Sequence, residues 1–86
     1  MDQRIKRLRA KSKALEPIAN IGKEGLTEGV IKDIKRQLND KKLIKIKVSK
    51  LFYGDANRKQ KAKEVAEATN STLIDQVGFV IVLSKN

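Results

Sequence analysis

The stretch IANIGKEGLTEGVIKDI, residues 18–34, contains the joint that decides how this 86-residue chain folds. Residues 18–22 have the apolar character of a short strand, whereas the end of the stretch repeats apolar side chains at helical spacing. Between these segments, Gly22 and Gly25 enclose a Lys-Glu pair, and Thr27 is a residue type that caps helix N-termini. The stretch therefore predicts a strand, a glycine-containing turn and then a helix.

Amphipathic spacing predicts a helix on each side of that strand. Upstream, residues 3–15 carry an apolar stripe and end before Pro17, whose ring disfavours helical geometry in the residue that precedes it. The stripe consists of Ile5, Leu8, Ser12 and Leu15. Downstream, the second helix is predicted to run from Thr27 to about Asp40. Its buried face is predicted to consist of Leu26, Val30, Ile31, Ile34 and Leu38.

Residues 43–49, LIKIKVS, alternate strictly between apolar and polar side chains, which is the pattern of a half-buried strand. The apolar face comprises Ile44, Ile46 and Val48, and the opposite face carries Lys45 and Lys47. The chain therefore continues from the second helix into a second strand.

A turn at residues 53–57 separates this strand from a third helix, for which Asp55 or Asn57 is the predicted cap. The helix covers residues 57–69 and stops near Asn70. Its buried residues are predicted to be Ala62, Val65, Ala66 and Thr69. Two strands, TLIDQV and FVIVLS, follow and are joined around Gly78.

The predicted order α-β-α-β-α-β-β indicates an α+β fold, a two-layer sandwich with a four-stranded mixed sheet, as a single domain over residues 1–86. The last strand is apolar on both faces from Phe79 to Leu83. It is therefore predicted to be central, with part of the second sheet face covered by the first helix or by a partner.

Composition narrows the function. Lys and Arg number 20 against 10 Asp and Glu, a formal charge of +10, which favours a polyanionic partner. With neither His nor Cys, the chain lacks the commonest general base and the thiolate metal ligands, so an enzyme, a metal site and a cofactor are not predicted. No apolar run reaches the ~18 residues of a membrane span, and the first residues lack the apolar region that is typical of a signal peptide. We therefore expect a cytoplasmic monomer that does not bind membranes.

The positive charge is concentrated in the first part of the chain, where residues 1–50 hold 15 basic and 6 acidic side chains. The third helix instead pairs Lys61 with Glu64 and Lys63 with Glu67 at helical spacing. The surface that we predict to bind phosphate lies on two adjacent helices beside the glycine joint. It comprises Lys6, Arg7 and Lys13 on the first helix, flanked by Arg4, Arg9 and Lys11, and Gly29, Lys32 and Arg36 on the second.

The joint itself has the chemistry of an anion site, because unpaired backbone N–H groups meet there with the positive end of a helix dipole. Gly22 and Gly25 leave the backbone accessible, and Lys23 supplies a charge. A GxxG loop that clamps a nucleic-acid backbone is the device of KH domains. The pattern alone is also compatible with a tight turn that requires positive φ.

The segments that flank this loop resemble the YhbY family, whose domain is also called the CRM domain. The most specific similarity lies in GKEGLT, residues 22–27, and AEATNSTLIDQVG, residues 66–78, and it extends over essentially the whole chain. The resemblance implies a fold similar to the C-terminal domain of translation initiation factor three. It also implies association with ribosomal RNA or large-subunit precursors. The loop residues that would bind RNA are Gly22, Lys23, Glu24 and Gly25, with Leu26 and Thr27 opening the helix.

Two other functions agree with the charge alone: an architectural DNA-binding protein of the chromatin kind, and a basic module that binds an acidic protein partner. The aromatic residues are few, namely Phe52, Tyr53 and Phe79, which favours recognition of RNA shape and backbone over base identity. Phe52 and Tyr53 either stack a base or anchor the neighbouring loop to the core.

Overall fold

The computed structural model describes residues 3–55 and 57–86. Its elements are α1 (Gln3–Ser12), β1 (Ala19–Ile21), α2 (Glu28–Lys41), β2 (Leu43–Val48), α3 (Lys50–Tyr53), α4 (Arg58–Ala68), β3 (Ser71–Val77) and β4 (Val80–Lys85). The α+β class and the four-stranded mixed sheet are confirmed. Ala56, in the predicted turn at 53–57, lies outside the described residues. None of the helices in the described ranges combines the length and apolarity that a membrane span requires.

The strand order is β1-β2-β4-β3, with β1 parallel to β2 and the other two pairs antiparallel. The last strand is therefore central, as its two apolar faces predicted. Because β1 and β2 run in parallel, their C-terminal ends meet at one end of the sheet. The turn that follows β1 and the short helix that follows β2 consequently lie at that end, which we call the loop end.

One face of the sheet packs against α2 and α4 and holds most of the core. The buried faces predicted for these helices are largely confirmed. Ile34 and Leu38 are buried on α2, while Val30 and Ile31 are half-buried. On α4 the residues that face the core are small, which lets the helix approach the sheet closely. They are Ala62, Val65, Ala66 and the C-cap residue Thr69.

The opposite face of the sheet packs against α1, so the predicted two-layer sandwich is wrong in its number of layers. Leu43, Ile74 and Val82 form a second core cluster on this face, against which Ile5, Leu8 and Leu15 pack. The physical reason is the central strand, since β4 sends Ile81 and Leu83 to one face and Val82 to the other. Both faces expose apolar surface and both require cover.

Side-chain caps set most helix boundaries. Asn57 Oδ1 accepts hydrogen bonds from the N–H groups of Lys59 and Gln60, which confirms Asn57 as the cap of α4. The helix α1 ends at Ser12 instead of residue 15, because the Ser12 hydroxyl donates to the Arg9 carbonyl at 2.7 Å.

The four-residue helix α3 was not predicted, although its flanking residues carry a local signal. Ser49 Oγ accepts from the Leu51 N–H at 3.1 Å, and Gly54 ends the helix with a φ of +55°. A single helical turn is too short to show a hydrophobic period, so only the cap residues indicate it.

Candidate nucleic-acid interface

Residues 22–25 form a closed turn between β1 and α2, which we call the glycine turn. The Gly25 N–H donates to the Gly22 carbonyl at 3.0 Å, and the Thr27 N–H donates to the Gly25 carbonyl at 3.1 Å. Thr27 then caps α2, as predicted, by accepting from the Val30 N–H at 3.2 Å. These bonds hold the turn directly in front of the first turn of α2.

The two glycines of the turn have different structural roles. Gly25 has a φ of +74°, and a Cβ at this position would lie 3.1 Å from Phe52 Cδ1, so any other residue would be strained there. Gly22 has neither a positive φ nor a heavy atom within 4 Å of the position of a Cβ. Its missing side chain therefore leaves the backbone open to an approaching group without serving the local geometry.

The glycine turn presents backbone donors to solvent. Among the described residues, the N–H groups of Gly22, Lys23 and Glu24 have no hydrogen-bond partner, and all three residues are exposed. The N-terminal end of α2 follows directly, and its helix dipole adds positive potential. The carboxylates of Glu24 and Glu28 oppose this potential, so the positive character of the turn comes from its backbone donors and from Lys23.

Beyond the turn, α2 contributes an open first turn and one lysine. Gly29 is exposed, and the nearest heavy atom to a Cβ there would be Thr27 Oγ1 at 4.0 Å. No side chain therefore covers the backbone at this position. Lys32 is exposed and has no ion-pair partner within residues 3–55 and 57–86. Arg36 differs, because its Nη2 atom lies 2.5 Å from Asp33 Oδ1. The prediction of an unpaired cation is therefore wrong for Arg36.

The predicted residues of α1 do not join this surface. Lys6, Arg7 and Lys13 are exposed, but α1 packs on the sheet face opposite α2. The prediction that the two basic helices are adjacent is therefore wrong, and the reason is the need to cover both faces of β4. Lys13 instead lines a groove of about 340 Å³ together with Lys45 and Asp75. Arg9 anchors α1 to β3, since its Nη2 atom donates to the Ile74 carbonyl at 3.3 Å.

Aromatic side chains form a row beside the glycine turn. Phe52 contacts Gly25, and its ring centroid lies 6.3 Å from that of Tyr53, which in turn lies 5.9 Å from that of Phe79. Tyr53 is 2% exposed, so of the two predicted roles it has the structural one and anchors α3 to the core. Phe52 is half-buried and packs on the same core.

Burial raises the pKa of Tyr53, an effect that the adjacent Gln76 side chain and the Arg58 guanidinium only partly offset. The Tyr53 hydroxyl does not reach hydrogen-bond geometry with any described residue, and the Gln76 amide donates instead to the Gly78 carbonyl at 2.8 Å. Tyr53 is therefore held by packing and not by its polar group.

Two cations of α4 lie over these rings, and the sequence did not indicate them as site residues. The Arg58 Cζ atom lies 4.5 Å from the Phe79 centroid and 5.6 Å from that of Tyr53. Lys61 Nζ lies 5.0 Å from the Phe52 centroid and 3.6 Å from Glu64, the ion pair that helical spacing predicted. Only the tertiary structure shows that Arg58 meets Phe79, because the two residues come from separate elements.

A second basic region lies at the other end of the sheet, where a groove of about 450 Å³ is lined by several cations. We call this region the lysine groove; its cations are Arg4, Lys11, Lys41, Lys42 and Lys85. Lys85 Nζ and Lys42 Nζ both donate to Asn39, at 2.6 and 2.8 Å. The neighbouring Lys42 ammonium lowers the pKa of Lys85.

The fold and these surfaces define a small basic α+β domain whose glycine turn exposes unpaired backbone N–H groups. The chain matches the CRS1/YhbY (CRM) domain family over residues 1–85 and belongs to that family. The resemblance that the glycine loop and the C-terminal segment indicated is thereby confirmed.

Individual relatives support the assignment to this family. The chain is 45% identical over 78 residues to a Methanocaldococcus jannaschii protein named as a probable RNA-binding protein, covering 88% of this chain and 56% of that protein. The chain thus spans little more than half the length of this relative. A Bacillus subtilis protein with the same kind of name is 35% identical over 78 residues, covering 91% of this chain and 79% of the relative.

The architecture is also similar to that of a hypothetical protein from Staphylococcus aureus whose solution structure is known. The two share 34% sequence identity and superpose with a TM-score of 0.79, over 95% of this chain and 83% of the other. The staphylococcal protein is described as a candidate RNA-binding protein, in agreement with the names of the two relatives.

Proposed function

We propose that this protein binds RNA by seating a phosphodiester of the backbone on the glycine turn and the N-terminal end of α2. The observation that carries the proposal is the row of unpaired N–H groups at Gly22, Lys23 and Glu24. These donors are fixed by the bonds that close the turn, so binding orders little additional backbone. A net charge of +10 supplies the long-range attraction to a polyanion.

The proposed contact is of the KH type, in which a GxxG loop holds the nucleic-acid backbone. Within this proposal, Gly22 and Gly29 admit the backbone, Gly25 shapes the turn, Thr27 orients the helix, and Lys23 and Lys32 pair with phosphates. We propose further that the RNA is ribosomal, in the large subunit or its precursor, and that the protein acts in ribosome assembly. The similarity to the C-terminal domain of translation initiation factor three stays a prediction.

The test replaces Gly22 by Asp, which adds a carboxylate beside the proposed phosphate position. A Cβ at residue 22 would meet no neighbouring heavy atom within 4 Å. The matched control is Gln3→Glu, which adds the same charge at an exposed position at the start of α1. We expect Gly22→Asp to weaken binding of structured and single-stranded ribosomal RNA fragments by about tenfold or more. Circular dichroism of both variants checks that each is folded.

The outcomes separate the competing functions. RNA preferred over duplex DNA at equal salt, with a loss specific to Gly22→Asp, supports the proposal. Equal binding of both nucleic acids, and an equal small effect of Gly22→Asp and Gln3→Glu, would instead support nonspecific electrostatic binding of the chromatin kind.

A further inference from the structure

Phe79 and Arg58 form an exposed cation–ring pair at the loop end of the sheet. Phe79 follows the Gly78 turn and is 36% exposed, although its carbonyl accepts from the Val48 N–H at 2.7 Å. That bond holds the backbone of Phe79 against β2, and the ring leans on the buried Tyr53 ring. The exposed ring therefore stands on a rigid base, which favours a recognition role over a loose surface contact.

Arg58 adds a planar cation to this ring. Its guanidinium carbon lies 4.5 Å from the Phe79 centroid, and no acidic group pairs with it in the described part of the chain. An aromatic ring and a guanidinium plane are the two protein surfaces on which unpaired nucleobases stack. The positive charge that remains unpaired on Arg58 also suits a nucleotide, whose base is joined through the ribose to a phosphate.

The pair adjoins the glycine turn through a continuous row of rings. Gly25 contacts Phe52, and Phe79 lies two ring-to-ring steps from Phe52. An exposed apolar side chain, that of Leu51, also lies at this end and is 71% exposed. Phosphate donors and stacking surfaces thus occur together at the loop end, whereas the lysine groove at the other end has no aromatic residue in its lining.

We propose that Phe79 and Arg58 bind an unpaired nucleobase of the same RNA strand whose phosphate occupies the glycine turn. The ligand is thus single-stranded RNA, and the pair distinguishes it from duplex RNA, whose bases are stacked and inaccessible. This inference rests on the proposed function and adds the local secondary structure of the RNA that the site accepts.

The experiment uses two variants and one control. Arg58→Lys keeps the charge but removes the guanidinium plane, and Phe79→Ala removes the ring. Val77→Ala is the control, because Val77 is exposed on the same hairpin and does not belong to the row of rings. The probes are a short single-stranded RNA with one 2-aminopurine, whose fluorescence is quenched on stacking, and an RNA duplex of equal length. Thermal melting followed by circular dichroism checks that each variant is folded.

We expect Arg58→Lys and Phe79→Ala each to weaken single-strand binding about tenfold, to lose the fluorescence quenching and to leave the slope of affinity against salt unchanged. Val77→Ala and all duplex affinities should match the parent chain. Parent-like affinity and quenching in Arg58→Lys and Phe79→Ala would overturn the inference, as would an equal loss on duplex RNA with a smaller salt slope. If Gly22→Asp still weakens binding in that case, the proposed function stands and only the base site fails; if the parent binds no RNA, both fail.

Discussion

Gly22 and Gly25 belong to the same turn, yet the structure has room for a side chain at Gly22 and not at Gly25. Gly25 combines positive φ with a Cβ position 3.1 Å from the Phe52 ring, whereas Gly22 has open space around it. A sequence pattern cannot separate these roles, since both residues fit a tight turn and a backbone clamp equally well. The difference decides which substitution reports on function and which reports on folding.

We expect Gly25→Ala to lower the free energy of unfolding by roughly 1–3 kcal/mol, because a residue with a Cβ is strained at positive φ and displaces Phe52. Gly22→Ala should change it by no more than about 0.5 kcal/mol. Urea denaturation followed by circular dichroism measures both values. An equal loss in the two variants would contradict the distinction between the two glycines.

Lys85 and Lys42 converge on Asn39, and their mutual repulsion lowers the pKa of Lys85. A lowered folded-state pKa means that the charged form is disfavoured by the fold, so the penalty applies below that pKa and is relieved as the pH rises through it. Lys42→Gln should therefore raise the pKa of Lys85, as measured by NMR titration of the side-chain Nζ. A pKa of Lys85 that does not move would show that repulsion by Lys42 is not its cause.

Among the helices and strands, the features that depend on neighbouring residues, such as strand alternation and helix caps, were predicted correctly from the sequence. The alternation of LIKIKVS placed Ile44, Ile46 and Val48 in the core, and the caps Thr27 and Asn57 set the starts of two helices. Arg36 was wrongly taken as unpaired, although Asp33 stands three residues before it at ion-pair spacing. The helix α3 was not predicted, because a helix of one turn is too short to show a hydrophobic period.

A substitution of Gly29 tests whether the absence of a side chain in the first turn of α2 leaves space for RNA. Gly29→Ala should raise the free energy of unfolding by up to about 1 kcal/mol, because alanine is the better helix former and the site has room for a Cβ. The same change should weaken RNA binding severalfold by filling the proposed contact surface. Denaturation and RNA titration of one variant measure both effects, and a gain in stability with unchanged affinity would remove Gly29 from the site.

At the scale of the whole molecule, the sequence located the charge but not its distribution in space. The composition predicted a polyanionic partner, yet the two basic helices lie on opposite faces of the sheet and the lysine groove lies at the far end. Long-range pairing makes these arrangements: Lys85 meets Lys42 only because β4 pairs with β2. Such neighbours have no signature in local spacing.

The arrangement predicts that position matters more than net charge. Replacing Lys6, Arg7 and Lys13 by Gln removes three charges on the α1 face, whereas Lys23→Gln with Lys32→Gln removes two beside the glycine turn. The double variant should weaken RNA binding more and reduce the salt slope by about one to two phosphate contacts. Affinities across a salt series check this. A larger loss in the triple variant would place the RNA on α1.

Amide NMR shifts during titration with single-stranded RNA show whether the glycine turn holds the RNA backbone, because they report on the backbone donors themselves. We predict that the largest shift changes and the strongest protection from solvent exchange occur at Gly22, Lys23 and Glu24, and that Gly22→Asp abolishes them while amides of α1 move little. Shift changes that concentrate on α1 or on the lysine groove, with those three amides unaffected, would contradict the proposal that the glycine turn holds the RNA backbone.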